Sequence, residues 1–196
     1  MELEKSIFFT FSNMDCEFRA IQETDVNQHY VDGLKQQMEY IENIPSNVSV
    51  QTQKKYIKDI LSSNNNTICG LFINGEMVGT AGVQLSLSKS FLRNVDINVE
   101  KLATVGIFIF NKKFRGMGIG KTMVWIATYL FYKCTKVEWF GAGMEKENTP
   151  SYKSFLSCGY QKVLDNDKYC KVMINISDLK KPEFVIGEIV KEDESQ

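Results

Sequence analysis

The stretch FNKKFRGMGIGKTMVW, Phe110 to Trp125, decides the fold. Gly116, Gly118 and Gly120 follow Arg115 at alternate positions and run into Lys121-Thr122. Ahead of a helix, such a turn can aim several backbone N–H groups at one anion, and the helix dipole adds about half a positive charge. A pyrophosphate fits that cradle without a metal. A nucleoside-triphosphate loop needs a glycine where Arg115 stands, and no acid ends a later apolar strand to hold magnesium. The dinucleotide fingerprint G-x-G-x-x-G sets its third glycine one residue later and follows its strand directly. Here the polar NKKFR intervenes, although Glu138 lies where a ribose-binding acid is sought. A turn that only lets a helix pack closely on the sheet is the plain alternative, but it does not explain why Arg115 and several glycines precede a helix N-terminus.

Working outward, LATVGIFIF, 102–110, reads as a buried strand, being almost wholly apolar and rich in β-branched and aromatic residues. After the turn, Ile119, Met123, Ile126, Ala127 and Leu130 mark the inner face of a helix to about Lys133. KVEWFGAGM is a second strand, so strand–helix–strand implies a right-handed parallel crossover. Upstream, Asn74-Gly75 between two apolar runs predicts a hairpin, because both turn residues must accept positive φ. EFRAIQETD predicts a strand with Thr24 or Asp25 capping the next helix, whose inward face carries Tyr30, Leu34, Met38 and Ile41 up to Pro45. VQTQKKYIKDILSS predicts a second helix with Tyr56, Ile57, Ile60 and Leu61 inward. SKSFLRNVDINVEK is a polar loop placed to border a substrate. Downstream, NTPSYKSFLSCG predicts a short helix with Asn148 as N-cap and Gly159 at C′. A closing hairpin turns at Asn166-Asp167, and KEDESQ is a solvated tail.

Charge and composition narrow the function. With 43% hydrophobic and 24% charged residues, the 196-residue chain is globular, and one domain is expected, its core about 18–176 and a C-terminal extension 177–196. A net charge of −1 provides no basic field for nucleic acid or anionic membrane. Five scattered cysteines without a C-x-x-C pair read as buried free thiols in a reducing compartment. His29 is the only histidine, so no metal site is expected. No apolar run approaches the ~20 residues needed to span a bilayer, and neither a membrane nor a nucleic acid is an expected partner. A cytoplasmic protein is expected.

Arg115, Gly118 and Gly120 occupy positions that resemble the defining ones of the R-x-x-G-x-G turn of the GNAT superfamily, the acyl-CoA-dependent N-acetyltransferases. The later stretch Asn148–Tyr160 resembles that family's N-x-x-(A/S)-x-x-x-Y-x-x-x-G-F helix at Asn148, Ser151, Gly159 and Tyr160, with Phe155 at its usual tyrosine. The two-helix opening most resembles the ribosomal-protein and amino-sugar branches. The fold so implied is α+β, a mixed six- to seven-stranded sheet with two splayed parallel central strands and flanking helices.

The resemblance implies acetyl-CoA as co-substrate, with no metal. Its pyrophosphate is expected on Arg115, Gly116, Met117, Gly118, Ile119, Gly120 and Lys121, its arm along the backbone of Phe108, Ile109 and Phe110, and Asn148 and Phe155 beside it. The acceptor is a small-molecule amine or a protein N-terminus, in a site shaped by the two early helices and the loop from Ser86 to Lys101. Direct attack needs a base, and Glu100 and Glu145 flank the parallel strands, but each reads more simply as a surface charge. His29 reads as a helix-surface residue and Tyr160 as core, so the base is unassigned. Phe155 has no hydroxyl to protonate the thiolate; Ser151 one turn earlier is the candidate donor, beside water and Tyr152. A non-catalytic acyl-CoA sensor on the same fold is the rival reading.

Overall fold

A computed structural model describes residues 5–36, 47–87, 91–93, 95, 99–183 and 185–191. The chain forms two compact units, one of Met1–Thr80, Phe108–Phe114 and Phe184–Gln196, the other of Ala81–Ile107 and Arg115–Glu183. Among the described residues there are nine strands, more than the six or seven expected, forming a mixed sheet.

In the first unit, β1 (Lys5–Phe11) and β2 (Met14–Ala20) form a hairpin through Ser12 and Asn13, both at positive φ. β2 pairs with β3 (Asn66–Ile73), and β1 pairs with β9 (Val185–Lys191), all antiparallel. β3 leads through Asn74 and Gly75, at φ 49° and 80°, into β4 (Glu76–Leu87), the turn their residue types demand. Strand β1 precedes the stretch of about 18–176 expected as the core, and β9 lies within the C-terminal extension 177–196.

Helix α1 (Gln28–Lys35) is capped by Asn27, whose Oδ1 accepts from Tyr30 N at 3.0 Å, not by Thr24 or Asp25. Asp25 is otherwise engaged, accepting from both Arg19 guanidinium nitrogens at 2.7 and 2.9 Å and from Gln22 N at 2.7 Å. Burial pushes its pKa up, but these bonds and the Arg19 charge more than offset it and hold it below the usual value. Met38, Ile41 and Pro45 lie outside the described residues. In α2 (Val50–Leu61) Gln53 and Ile57 face inward, while Tyr56 and Leu61 are 50% and 36% exposed, against expectation. Val50 and Ile60, as expected for Ile60, pack partly buried against the same core, and each step of one residue turns a side chain by about 100° away from the inward face. That face joins Ile21, Tyr30, Val31, Phe72 and Phe110 in one core.

In the second unit the strand order is β4, β5 (Lys101–Ile109), β6 (Trp139–Glu145), β8 (Tyr169–Asn175), β7 (Gln161–Asp165). β5 and β6 are parallel, as the crossover requires, and β6–β8–β7 is antiparallel. Helix α3 (Ile119–Thr135) makes the crossover and is buried on most of its circumference, at Thr122, Val124, Trp125, Thr128 and Phe131 as well as at the expected positions. Helix α4 (Thr149–Ser157) begins at Asn148, and Gly159 follows its end at φ 96°, both as expected. Four cysteines are buried, but Cys134, near the end of α3, is exposed.

Candidate functional site

The glycine turn sits where strand gives way to helix. After β5 a short 3-10 turn, Lys112–Phe114, leads to Arg115 and then to Gly116 and Gly118 at φ 77° and 94°. Those left-handed values favour glycine, and Gly118 is the N-cap of α3. Having no side chain, it leaves the first-turn N–H groups without the usual Ser, Thr or Asp acceptor. The first turn also holds no acid, and Lys121 stands in it. A cation such as Lys121 at a helix N-terminus opposes the dipole, a cost that a bound anion offsets. Gly120 serves packing instead, since a Cβ built on it would lie 2.8 Å from Ser154 Oγ, and glycine lets α3 and α4 approach. The packing reading therefore holds for that one glycine.

Strand register assigns the faces. Ala103 and Thr104 pair with Phe140 and Gly141, and among the described residues that parallel ladder covers only these two pairs. Gly141 and Gly143 stand opposite Met173 and Lys171 of β8. Thr104, Gly106, Gly141, Gly143, Lys171 and Met173 thus share one face. The other face carries Phe140, edge-on to Phe131 of α3. A Cβ on Gly106 or Gly143 would meet nothing within 4 Å, so the floor of the gap that opens past Thr104 is bare. This fits a strand-like thioester arm lying against backbone. Along β5, Leu102, Ala103 and Val105 are buried, Gly106 is exposed and Ile107 is half-buried.

Helix α4 carries the remaining candidates of this unit. Asn148 Oδ1 accepts from Ser151 N at 3.3 Å. The hydroxyls of Ser154 and Ser157 donate to the carbonyls of Pro150 and Ser154, whereas the half-buried Ser151 hydroxyl has no partner among the described residues. One turn on, Phe155 is 1% exposed and packs edge-on to Tyr160 at 5.0 Å. Tyr160 is core, as expected, its Oη 2.8 Å from Thr128 Oγ1. Cys158 Sγ donates to Lys121 O at 3.1 Å and ties the end of α4 to the first turn of α3; burial raises its thiol to about 11. Glu100 and Glu145 are both exposed.

In the first unit Phe110 is buried, with Tyr30 and His29 edge-on at 5.6 and 5.8 Å and Phe108 tilted at 5.9 Å. A Cβ on Gly33 would lie 2.7 Å from Phe110, so glycine lets α1 rest on that ring. His29 is exposed, as expected, but it is paired: Nε2 lies 3.1 Å from Glu76 Oε1, which also accepts from Asn111 Nδ2. They border a cavity of about 570 Å³ also lined by Asp25, Phe72 and Met77. No sequence signal joined His29 to Glu76, because they lie far apart in the chain and neither belongs to a motif. Among the described residues no cluster of three or more His, Cys, Asp or Glu could hold a metal.

The family model described as the acetyltransferase (GNAT) domain matches residues 16–161. No curated protein matches the chain. Several solved structures share the fold. Mycobacterium smegmatis RimJ, in complex with CoA-disulfide, is 13% identical with a TM-score of 0.72, covering 92% of this chain and 93% of that one. RimL, the ribosomal L7/L12 alpha-N-protein acetyltransferase in complex with coenzyme A, is 15% identical with a TM-score of 0.69, covering 87% and 99%. Spermidine N-acetyltransferase from Vibrio cholerae, in complex with CoA and spermine, is 15% identical with a TM-score of 0.64, covering 83% and 96%. At such identities the likeness is one of fold.

Proposed function

The chain belongs to the GNAT acetyltransferase family and is an acyl-CoA N-acyltransferase with acetyl-CoA as co-substrate; from that premise we propose that it acetylates a primary amine by direct attack. The observation that carries this reading is the start of α3, where Gly118 offers no side-chain cap and the first turn holds no acid. Arg115 and the amides from Gly116 to Lys121 hold the pyrophosphate, and the backbone of Phe108, Ile109 and Phe110 holds the arm. Asn148 sets the start of α4. The co-substrate supplies an activated thioester. A backbone N–H of β5 polarises the carbonyl and Ser151 gives a proton to the departing sulfur, while Phe155, buried against Tyr160, fixes the helix that carries Ser151. The whole chain acts as one acetyltransferase domain. Among the described residues no helix is long and apolar enough to cross a membrane, and free thiols suit a cytoplasmic setting.

Gly118→Asp tests the cradle better than any change at Gly120, where a side chain would strike Ser154. Aspartate tolerates the left-handed region better than most residues, and its charge is favourable at a helix N-terminus, so the fold should survive. Its carboxylate would meet the pyrophosphate. Calorimetry should show loss of acetyl-CoA binding with circular dichroism preserved; undiminished affinity in the folded variant would refute the cradle.

A further inference from the structure

Lys171, half-buried on β8 opposite Gly143, belongs to the bare glycine face, and its ammonium reaches Phe91. Its Nζ donates to Phe91 O at 2.6 Å and stands 5.1 Å from the centre of the Phe91 ring. Phe91 in turn lies on β6: a Cβ built on Gly141 would come within 2.7 Å of ring atoms Cε1 and Cζ. Gly141 is the residue at which β5 and β6 part. The aromatic ring and the ammonium therefore close one end of the open floor at Gly106 and Gly143.

Among the described residues the Lys171 ammonium has no counter-charge. Glu145, on the same face, stands opposite Tyr169 and is exposed. Burial alone lowers the Lys171 pKa, with no carboxylate acting in the other direction. An ammonium has three protons to donate, and Phe91 O takes one. A partly desolvated cation without a partner destabilises a fold unless an anion completes it.

We infer that Lys171, held across Gly141 by Phe91, determines acceptor specificity by binding a carboxylate that the acceptor carries close to its amine. The inference rests on the proposed amine acetylation. It selects an acidic peptide N-terminus or an acidic free amino acid over a polyamine, whose charges the ammonium repels.

The experiment compares four acceptors by thiol release: a tripeptide with aspartate at its second position, the same peptide with asparagine, free aspartate, and spermidine. A charge-assisted contact predicts kcat/KM about tenfold or more higher for the aspartate peptide than for its asparagine twin. Lys171→Met should bring that ratio near one, and Lys171→Arg should keep much of it. Free aspartate rivalling the peptide would identify the source as a free amino acid, and a poor rate would identify a peptide. A wild-type ratio near one, a preference for spermidine, or a ratio unmoved by Lys171→Met would overturn the inference. If no acceptor releases thiol, calorimetry of the aspartate peptide on the CoA-bound protein decides: binding lost in Lys171→Met supports it, and absent or equal binding overturns it. Acetyl-CoA affinity, measured on the same samples, separates the two levels. A protein that binds no acetyl-CoA refutes the proposed function and this inference with it, whereas intact binding with no acidic preference refutes the inference alone.

Discussion

Serine hydroxyls on short helices usually bond back to a carbonyl one turn earlier, as Ser154 and Ser157 do here at 2.9 and 2.8 Å. Ser151 is the exception on α4, its hydroxyl bonded to none of the described residues, and the proposed function makes it the proton donor. Ser151→Ala should therefore lower kcat on the order of 10²-fold, the scale of one acid–base participant, while acetyl-CoA affinity by calorimetry stays put. An unaltered kcat would reduce Ser151 to an ordinary first-turn residue. At this scale the sequence was informative where a residue type has one physical use. Asn74-Gly75, Asn148 and Gly159 each take the backbone role their chemistry implies. It was uninformative where the use depends on distant partners. Asp25 could cap a helix or bind Arg19, and only the folded chain brings Arg19 to 2.7 Å.

Among the elements, α3 and α4 meet at a glycine. Two effects of opposite sign act on Gly120→Ala: alanine favours a helix over glycine by about 1 kcal/mol, but overpacking costs about 1–3 kcal/mol. With Ser154 Oγ at 2.8 Å from the new Cβ and tied to Pro150 O, the clash should win. Gly120→Ala alone should lower the melting temperature. In the Ser154→Ala background, where that oxygen is gone, the same change should be neutral or raise it. Equal effects in both backgrounds would show that the two helices do not meet there. The elements missed from sequence were β1 and β9. Ile7, Phe9 and Phe11 of β1 are buried while Phe8 is 42% exposed, a period of two that is present in SIFFTF. A run that short does not declare a strand by itself, however, and its partner β9 lies at the far end of the chain, beyond any local pattern. The apolar residues of α2 mislead for a related reason, since they outnumber the positions its neighbours can cover.

For the molecule as a whole, a near-neutral charge, free thiols and one anion-seeking helix start describe an enzyme that handles a small polyanionic co-substrate. From β2 to β8 the order of strands and helices was legible because the crossover and hairpins are local. The division into two compact units was not, since one unit draws on three separate stretches of chain. What separates a catalyst from an acyl-CoA sensor is turnover. The most direct measurement is thiol release from acetyl-CoA, with chelator present, across a panel of primary amines that includes acidic peptides, amino sugars and polyamines. Release that depends on the amine and yields the acetylated product is the predicted result; acetyl-CoA binding with no amine-dependent release for any member of the panel would contradict the account.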